Sequence, residues 1–400
     1  MTKATGLNAP FYDDVWKQLR KVTPTIEKSN TLPAACYSDQ QIFEYERQVV
    51  FNNSWICIGR EDQLTNAGDY AALDLAGVPL IILKNKKGFL RAFVNSCRHR
   101  GMYLLEGRGC IRAITCPFHG WTYNLDGSLV SAPKIQSLRG TNKSDFNLIS
   151  IPLAVADGFA FVSLRNNPPK IDRWLGDFSE RHAPWSLNNF VTTFREEFEV
   201  ACNWKLFLDV FCEWYHLPYV HSKLVGGHYG VPEPIDKVNG NYASQFGMIE
   251  GRGGLSGEFS KKKHDQLALP MIPTIKGRDR LGGRYSWVFP NLVFSANPDA
   301  LWLYEAFPMT VDRTRIIFSF CFPPETTNEV DFESRAKNYY KRLQTAVQED
   351  IVILEKQQKG LSIPYQRTGR YCLELEPMVA KFAHWYAQQL LASQNTKSAS

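Results

Sequence analysis

Two short ligand sets stand 19 residues apart in this chain, Cys97-Arg98-His99 and Cys116-Pro117-Phe118-His119, and each offers one thiolate and one imidazole. Two thiolates can hold one iron of a [2Fe–2S] unit while two imidazoles hold the other. Neutral imidazoles leave such a cluster less negative and easier to reduce, so the set suits the transfer of single electrons. Zinc accepts the same atoms, but finger spacing puts both cysteines before both histidines, and here they alternate. Arg100-Gly101 follows the first pair, and Gly120-Trp121-Thr122-Tyr123 with Asp126-Gly127 follows the second. Those residues predict turns between short strands, where backbone N–H groups can point at sulfur and tune the potential.

A cluster alone only stores an electron, so a destination is needed. Downstream, Asn203-Trp204-Lys205 opens a segment in which Asp209, Glu213 and His216 fall at i, i+4 and i+7. The spacing predicts a helix over 203–217 with these three on one face. Pro218 is expected to break that helix and let His221 turn back, so that two imidazoles converge. A non-haem Fe(II) site that activates O₂ needs two histidines, one carboxylate and open positions. The carboxylate is expected at Asp350, i+3 from Val347 and i−4 from Leu354 in a strongly helical run, and so on the side of buried apolar residues. A buried carboxylate is costly without a partner, and a metal ion is one. The competing ligand is Glu349, which is expected to project nearer to solvent. Taken alone, His216 and His221 also read as ordinary histidines near a helix end.

The stretches "CRHRG…CPFHGWTYNLDG", "NWKLFLDVFCEWYHLPYVH" and "VQEDIVILEKQQKGL…GRYCLELEPMVAKFAHWY" together resemble the α subunit of the Rieske non-haem iron oxygenases, over roughly residues 40 to 390. The resemblance implies that Cys97, His99, Cys116 and His119 hold a Rieske [2Fe–2S] cluster and that His216, His221 and Asp350 hold Fe(II). It also implies a catalytic role for Glu213, which stands where many members carry an aspartate that links an iron-bound histidine to a cluster histidine of the neighbouring subunit. His119 of one subunit would then address Glu213 and His216 of the next, in a head-to-tail homotrimer. Glutamate there is a departure shared with choline, carnitine and related quaternary-ammonium monooxygenases. Without the resemblance Glu213 reads as a solvated helix carboxylate. Asp209 reads either as a second carboxylate supporting His221 or as a structural contact.

By the same likeness O₂ is co-substrate, and electrons come from NAD(P)H through a separate flavin reductase, with or without a ferredoxin. The product is a hydroxylated or demethylated molecule or a cis-dihydrodiol. Gly251-Arg252-Gly253-Gly254 neither follows a convincing strand nor opens a helix, so nucleotide chemistry is assigned to the reductase. Candidate pocket residues are Phe207, Phe211, Trp214 and Tyr215 near the ligand helix, with Trp287, Phe289, Phe294, Trp302 and Tyr304 on strands. Such rings hold a trimethylammonium group by cation–π attraction or a flat arene by stacking. Glu213 favours an N-methyl or quaternary-ammonium substrate over the alternative, an aromatic ring. Other classes are a Rieske electron carrier without oxygen chemistry and a regulatory redox sensor.

The elements that must position these residues follow from patterning in a chain of 400 residues, long enough for two domains. A short amphipathic helix is expected over 11–21, and Asp39 caps another running to about Asn52. Strands are expected over 78–84 and 89–95 as a hairpin, then 111–115, 121–124, 128–131 and 159–164. After the linker Asn166-Asn167-Pro168-Pro169, strands are expected over 191–200, 285–294, 301–310 and 314–322, with a helix over 333–358. The fold class is α+β. It comprises an N-terminal helical segment over 1–40 packing on the catalytic domain, an all-β Rieske domain over 41–166, and a catalytic domain over 167–400. The resemblance sharpens the last to a helix-grip, Bet v 1-like domain with an antiparallel sheet. The glycine-rich stretch 225–283 is expected to be a long loop covering the substrate entrance.

Nine cysteines, an odd count with two committed to a cluster, favour a reducing compartment. The N-terminus lacks an apolar signal core, and no run approaches the roughly 20 residues that span a bilayer. A soluble, cytoplasmic protein is expected, with no membrane partner. Net charge of +6 without a basic stripe argues against nucleic acid, and a mildly basic surface suits an acidic electron carrier. Lys261-Lys262-Lys263 reads as a solvated loop.

Overall fold

The computed structural model describes residues 10–134, 142–222, 230–248, 255 and 266–395. Two compact units emerge, one of Cys57–Pro169 and one that joins the residues up to Ile56 with those from Lys170 onward.

The smaller unit is built of short antiparallel strands. They are β1 (Ile56–Arg60), which starts at the boundary, β2 (Asp69–Leu75), β3 (Val78–Lys84), β4 (Leu90–Val94), β5 (Arg108–Cys110), β6 (Ile114–Thr115), β7 (Thr122–Tyr123), β8 (Leu129–Ser131), β9 (Ser150–Ile151), β10 (Leu153–Ala156) and β11 (Phe159–Val162). Their sheets run β5-β2-β3-β4-β9, β6-β7-β8 and β1-β11-β10. The expected hairpin forms between β3 and β4, where the Asn85 side-chain oxygen accepts from the amides of Lys87 and Phe89 at 3.0 and 2.9 Å. Ile81, Leu83, Phe93, Ile114, Trp121, Tyr123 and Leu129 form a core that includes Cys97 and Cys116.

The larger unit has one six-stranded antiparallel sheet. Its strands are β12 (Val191–Val200), β13 (Tyr242–Met248), β14 (Gly282–Val288), β15 (Leu292–Ala296), β16 (Leu301–Thr310) and β17 (Arg313–Phe322), in the order β12-β17-β16-β15-β14-β13. Every residue of β15 is buried, so both faces are covered. On one face lie the ligand helix Trp204–Phe211, the long helix Phe332–Leu361 and the C-terminal helix Pro377–Asn395. Phe207 packs edge-on to Tyr304, Tyr340 stacks on Phe194, and Phe382 stacks on Trp287 at 3.9 Å. The opposite face meets the short helix Phe178–His182, whose His182 contacts Ser286 and Phe294.

Several expectations need correction. The helix Gln40–Val49, capped by Asp39 as expected, belongs with the larger unit and not with a domain over 41–166. Its Glu46 is fully buried and accepts from Trp204 Nε1 at 2.5 Å, Lys205 Nζ at 2.6 Å and Tyr386 at 2.7 Å. The expected strand over 285–294 is two, because the chain turns at Phe289-Pro290-Asn291 between β14 and β15. Within 225–283 the chain forms β13, the sheet's edge strand, while 225–229, 249–254 and Lys261-Lys262-Lys263 lie outside the described residues. The C-terminal helix was not anticipated as an element. No helix among the described residues is long and apolar enough to cross a membrane.

Candidate metal centres

In the smaller unit the two ligand pairs occupy equivalent tight loops. The Cys97 amide donates to the Met102 carbonyl at 2.8 Å and the Gly101 amide to Cys97 at 2.9 Å; the Cys116 amide donates to Trp121 at 2.8 Å and the Gly120 amide to Cys116 at 3.1 Å. Gly101 and Gly120 both adopt left-handed backbone, at φ of 74° and 71°, which an L side chain adopts only at a cost. Cys97 and Cys116 are buried, while His99 and His119 are exposed. The two imidazoles face each other, Nδ1 to Nδ1 at 3.2 Å, and His99 stacks on Trp121 at 4.9 Å. Like atoms cannot bond each other in the same protonation state, so two lone pairs aimed at one place fit a shared iron. Tyr123 lies 3.3 Å from Cys97 Sγ, and its hydroxyl accepts from the Arg98 amide at 3.1 Å. Burial and both neighbouring thiols hold the Tyr123 hydroxyl protonated. A donor is thereby fixed beside sulfur, the kind of contact that sets a cluster's potential.

The second centre lies wholly within the larger unit. Instead of one helix over 203–217, the chain is helical over Trp204–Phe211, turns, and is helical again over Leu217–Val220. Asn203 caps the first helix through the Lys205 amide. The break precedes Pro218, which sits in the first turn of the second helix, where its missing N–H costs nothing. In the turn, the Trp214 amide donates to Leu375 at 3.0 Å, and Glu213 Oε2 accepts from the amides of Tyr215 and His216. The turn brings His216 and His221 together, with ring centroids 5.0 Å apart.

His216, His221 and Asp350 each offer one ligand atom within 4.8 Å of the others. His221 Nε2 and His216 Nε2 lie 3.0 and 3.7 Å from Asp350 Oδ1. Neither contact is a hydrogen bond, the second being too long for one, and Oδ1 is buried with no hydrogen-bond donor. Three acceptor atoms that converge without bonding one another fit a divalent metal, and the two-histidine, one-carboxylate set is the donor set of non-haem Fe(II). Behind each imidazole stands a glutamate. His216 Nδ1 donates to Glu213 Oε1 at 2.5 Å, and His221 Nδ1 donates to Glu349 Oε2 at 2.7 Å. Each glutamate fixes the tautomer that leaves Nε2 free for a metal. Burial alone would lower the His221 pKa, but Asp350 and Glu349 outweigh it and raise it.

Asp350 faces the interior as the helical spacing predicts, and the partly exposed Glu349 is not a rival ligand: it holds His221. That role was missed, although the need for a carboxylate behind each metal-bound histidine is a signal that adjacent acids can meet. Asp209 is not beside His221. It accepts from Tyr37 at 3.3 Å and faces a second cavity of about 460 Å³ with Tyr371 and Glu376. Burial pushes its pKa up to about 8.

A pocket of about 90 Å³ opens on the three converging atoms. Phe207, Phe211, Trp214, Trp302 and Tyr304 line it as expected, joined by Tyr285 and Arg342, which the sequence reading did not single out. Tyr215 is exposed, Trp287 and Phe289 pack on Phe382, and Phe294 lies on the other sheet face, so these four are not among the lining residues.

The family described as ring hydroxylating alpha subunit (catalytic domain) matches residues 179–392, and the Rieske [2Fe-2S] domain matches residues 54–143. Choline monooxygenase of Arabidopsis thaliana chloroplasts is 27% identical over 383 residues, 91% of this chain and 85% of that protein. The carnitine monooxygenase oxygenase subunit of Acinetobacter pittii is 27% identical over 377 residues, 90% and 94% of the two chains. The quaternary ammonium Rieske monooxygenase CntA, solved with L-carnitine, superposes with a TM-score of 0.74 at 25% identity, covering 92% of this chain and 97% of its own. Naphthalene 1,2-dioxygenase from Rhodococcus shares the fold, with a TM-score of 0.78 at 21% identity over 96% and 99%. With a Rieske [2Fe-2S] domain in one unit and a matching catalytic domain around His216, His221 and Asp350 in the other, the chain belongs to the ring-hydroxylating α-subunit family, as the terminal oxygenase component of a Rieske non-haem iron system.

Proposed function

We propose that this chain oxidises a small N-methyl or quaternary-ammonium compound with O₂, by hydroxylation or N-demethylation. The observation that carries the reading is the junction of the His216, His221 and Asp350 atoms with a box of aromatic rings. Trp214 meets Tyr285 at 4.9 Å and 69°, and Phe211 meets Tyr304 at 5.3 Å and 72°. Rings set nearly at right angles present faces from several sides, the arrangement that attracts a cation, whereas a flat arene is best held between parallel faces. Glu213 adds negative charge to the same wall. The relatives named for choline and carnitine fit this reading.

His216, His221 and Asp350 would hold iron(II), which supplies O₂ activation when bound. Glu213 and Glu349 orient the imidazoles, and the apolar walls from Val210, Leu217, Leu343 and Val347 exclude water from the reacting carbon. Burial and Asp350 raise Tyr304 well above its usual pKa, so it stays a neutral phenol. Cys97, His99, Cys116 and His119 would hold the cluster. Electrons would enter it from an NAD(P)H-dependent flavin reductase, directly or through a ferredoxin. By family likeness they would pass from His119 of one subunit to Glu213 of the next in a homotrimer. None of the nine cysteines is paired in a disulfide, and two of them would be committed to the cluster, which suits work in the cytoplasm.

The test is O₂ uptake by reconstituted enzyme against quaternary amines, N-methyl compounds and simple arenes, with products identified by mass. Formaldehyde or a hydroxylated amine is the expected product. A cis-dihydrodiol from an arene, with no amine oxidised, overturns the reading in favour of a ring dioxygenase. Two irons per chain in place of about three would leave only an electron carrier.

A further inference from the structure

One corner of the pocket rests on a residue that has no side chain. Trp214 lines the cavity, is only 6% exposed and meets Tyr285 edge-on at 4.9 Å. Behind it runs β13, where Gly247 pairs with Gly283 of β14 and Gln245 with Tyr285. Directly opposed residues share a face, and faces alternate along a strand, so Gly247, Gly283 and Tyr285 all look toward the pocket side of the sheet. Phe246 and Arg284, the pair between them, look the other way, where Arg284 lies over the Phe246 ring at 5.9 Å.

A methyl carbon placed on Gly247 would stand 2.6 Å from Cζ2 of Trp214, 3.0 Å from Cζ3 and closer still to Cη2. Carbon atoms in ordinary contact settle at about 3.5–4.0 Å. The backbone at Gly247 is regular strand with no left-handed φ, so conformation does not ask for glycine there. Room for the indole does, and close approach is a common reason for glycine inside a strand. The main chain that carries the indole is held: the Trp214 amide donates to Leu375 at 3.0 Å, and the next two amides donate to Glu213. With the sheet beneath and Tyr285 at one edge, a side chain at 247 would drive the ring roughly 1–2 Å toward the cavity it lines. That cavity holds only about 90 Å³.

We propose that Gly247 is a positioning residue for substrate size: by leaving room behind Trp214 it sets the depth of this end of the pocket, and a side chain there narrows the enzyme to smaller substrates. The inference rests on this pocket being the substrate site, and not on the charge of the substrate.

The test uses loaded full-length enzyme and calorimetric dissociation constants for two size-graded pairs of probes, tetramethylammonium with tetraethylammonium and benzene with naphthalene. Gly247→Ala should weaken the larger member of the pair that binds by about tenfold or more, and the smaller member less, on the scale of overpacking by a methyl group. Trp214→Phe deletes the three ring atoms that would clash. It should tighten the larger probe, and adding Gly247→Ala should cancel that gain while costing the smaller probe less than about threefold. Gly283→Ala is the control, since its methyl would meet Asn297 Oδ1 at 2.7 Å and not the indole. It should lower Tm and leave the size preference unchanged. An unchanged size preference in Gly247→Ala overturns the proposal, as does an equal loss with and without Trp214→Phe. The same loss from Gly283→Ala also overturns it, being the mark of a general defect in the sheet, and so does failure of every probe to bind the unmodified protein. Should Gly247→Ala fail to fold, Trp214→Phe against the double variant decides. The expected pattern with arenes alone keeps this proposal and ends the amine reading; ammonium binding indifferent to residue 247 does the reverse.

Discussion

The two histidine pairs use the same ligand in opposite ways. His99 and His119 turn their Nδ1 atoms toward each other at 3.2 Å and lie exposed. His216 and His221 give their Nδ1 protons to Glu213 and Glu349 and turn Nε2 inward, with side chains only 11% and 4% exposed. The nitrogen left over decides what each site can do. An exposed pair can exchange protons and meet a partner, as suits a point of electron exchange, whereas a pair locked by carboxylates is held rigid for chemistry in a dry pocket.

The sharpest break in this comparison comes from ligand removal. Asp350→Ala should lower iron from about three to about two per chain, leave the visible spectrum of the cluster intact and cut turnover by more than roughly a hundredfold. Cys116→Ser should do the reverse, with two irons and the spectrum lost and one iron kept, as metal analysis will read. If either variant empties both sites, the centres are not independent.

A smaller effect is expected one layer out. Glu349→Ala should weaken metal binding by about 10–100-fold in a chelator competition, and Glu349→Gln less, because its carbonyl still accepts the Nδ1 proton. Asp209 sharpens the contrast, being a carboxylate on the ligand helix that supports no histidine. Its pKa, raised by burial to about 8, means that ionising it costs the folded state more than the unfolded one. That stability is complete below the unfolded value near 3.8 and is lost as pH climbs to about 8. Asp209→Asn should therefore raise Tm at about pH 9 by several degrees and much less at about pH 5. Smallest of all, Gly101→Ala forces a side chain into left-handed backbone at φ 74°, for about 1 kcal/mol in denaturant melts with the cluster retained.

Local chemistry was the legible part of the sequence. Both cluster loops and the pair His216 and His221 stand close in the chain, and Asp350 followed from helix periodicity alone. The ligand helix was misread past Phe211 because its apolar spacing continues through the turn, and only tertiary contacts such as Trp214 to Leu375 reveal the break. Glu349 needed the fold, since its partner His221 lies on a distant segment. The helix Gln40–Val49 joined the wrong domain for a similar reason: nothing near Glu46 in the chain announces Trp204, Lys205 and Tyr386.

That buried carboxylate has a consequence for the order of events during synthesis. Glu46 leaves the ribosome early, but its partner Lys205 comes after the whole of Cys57–Pro169, and Tyr386 close to the end. Leaving one member of such a buried ion pair alone costs about 3–5 kcal/mol. The early segment must therefore wait, solvated, while the cluster-bearing strands complete their own sheets behind it. A nascent chain halted before Trp204 should expose its first fifty-odd residues to protease while the inserted unit resists.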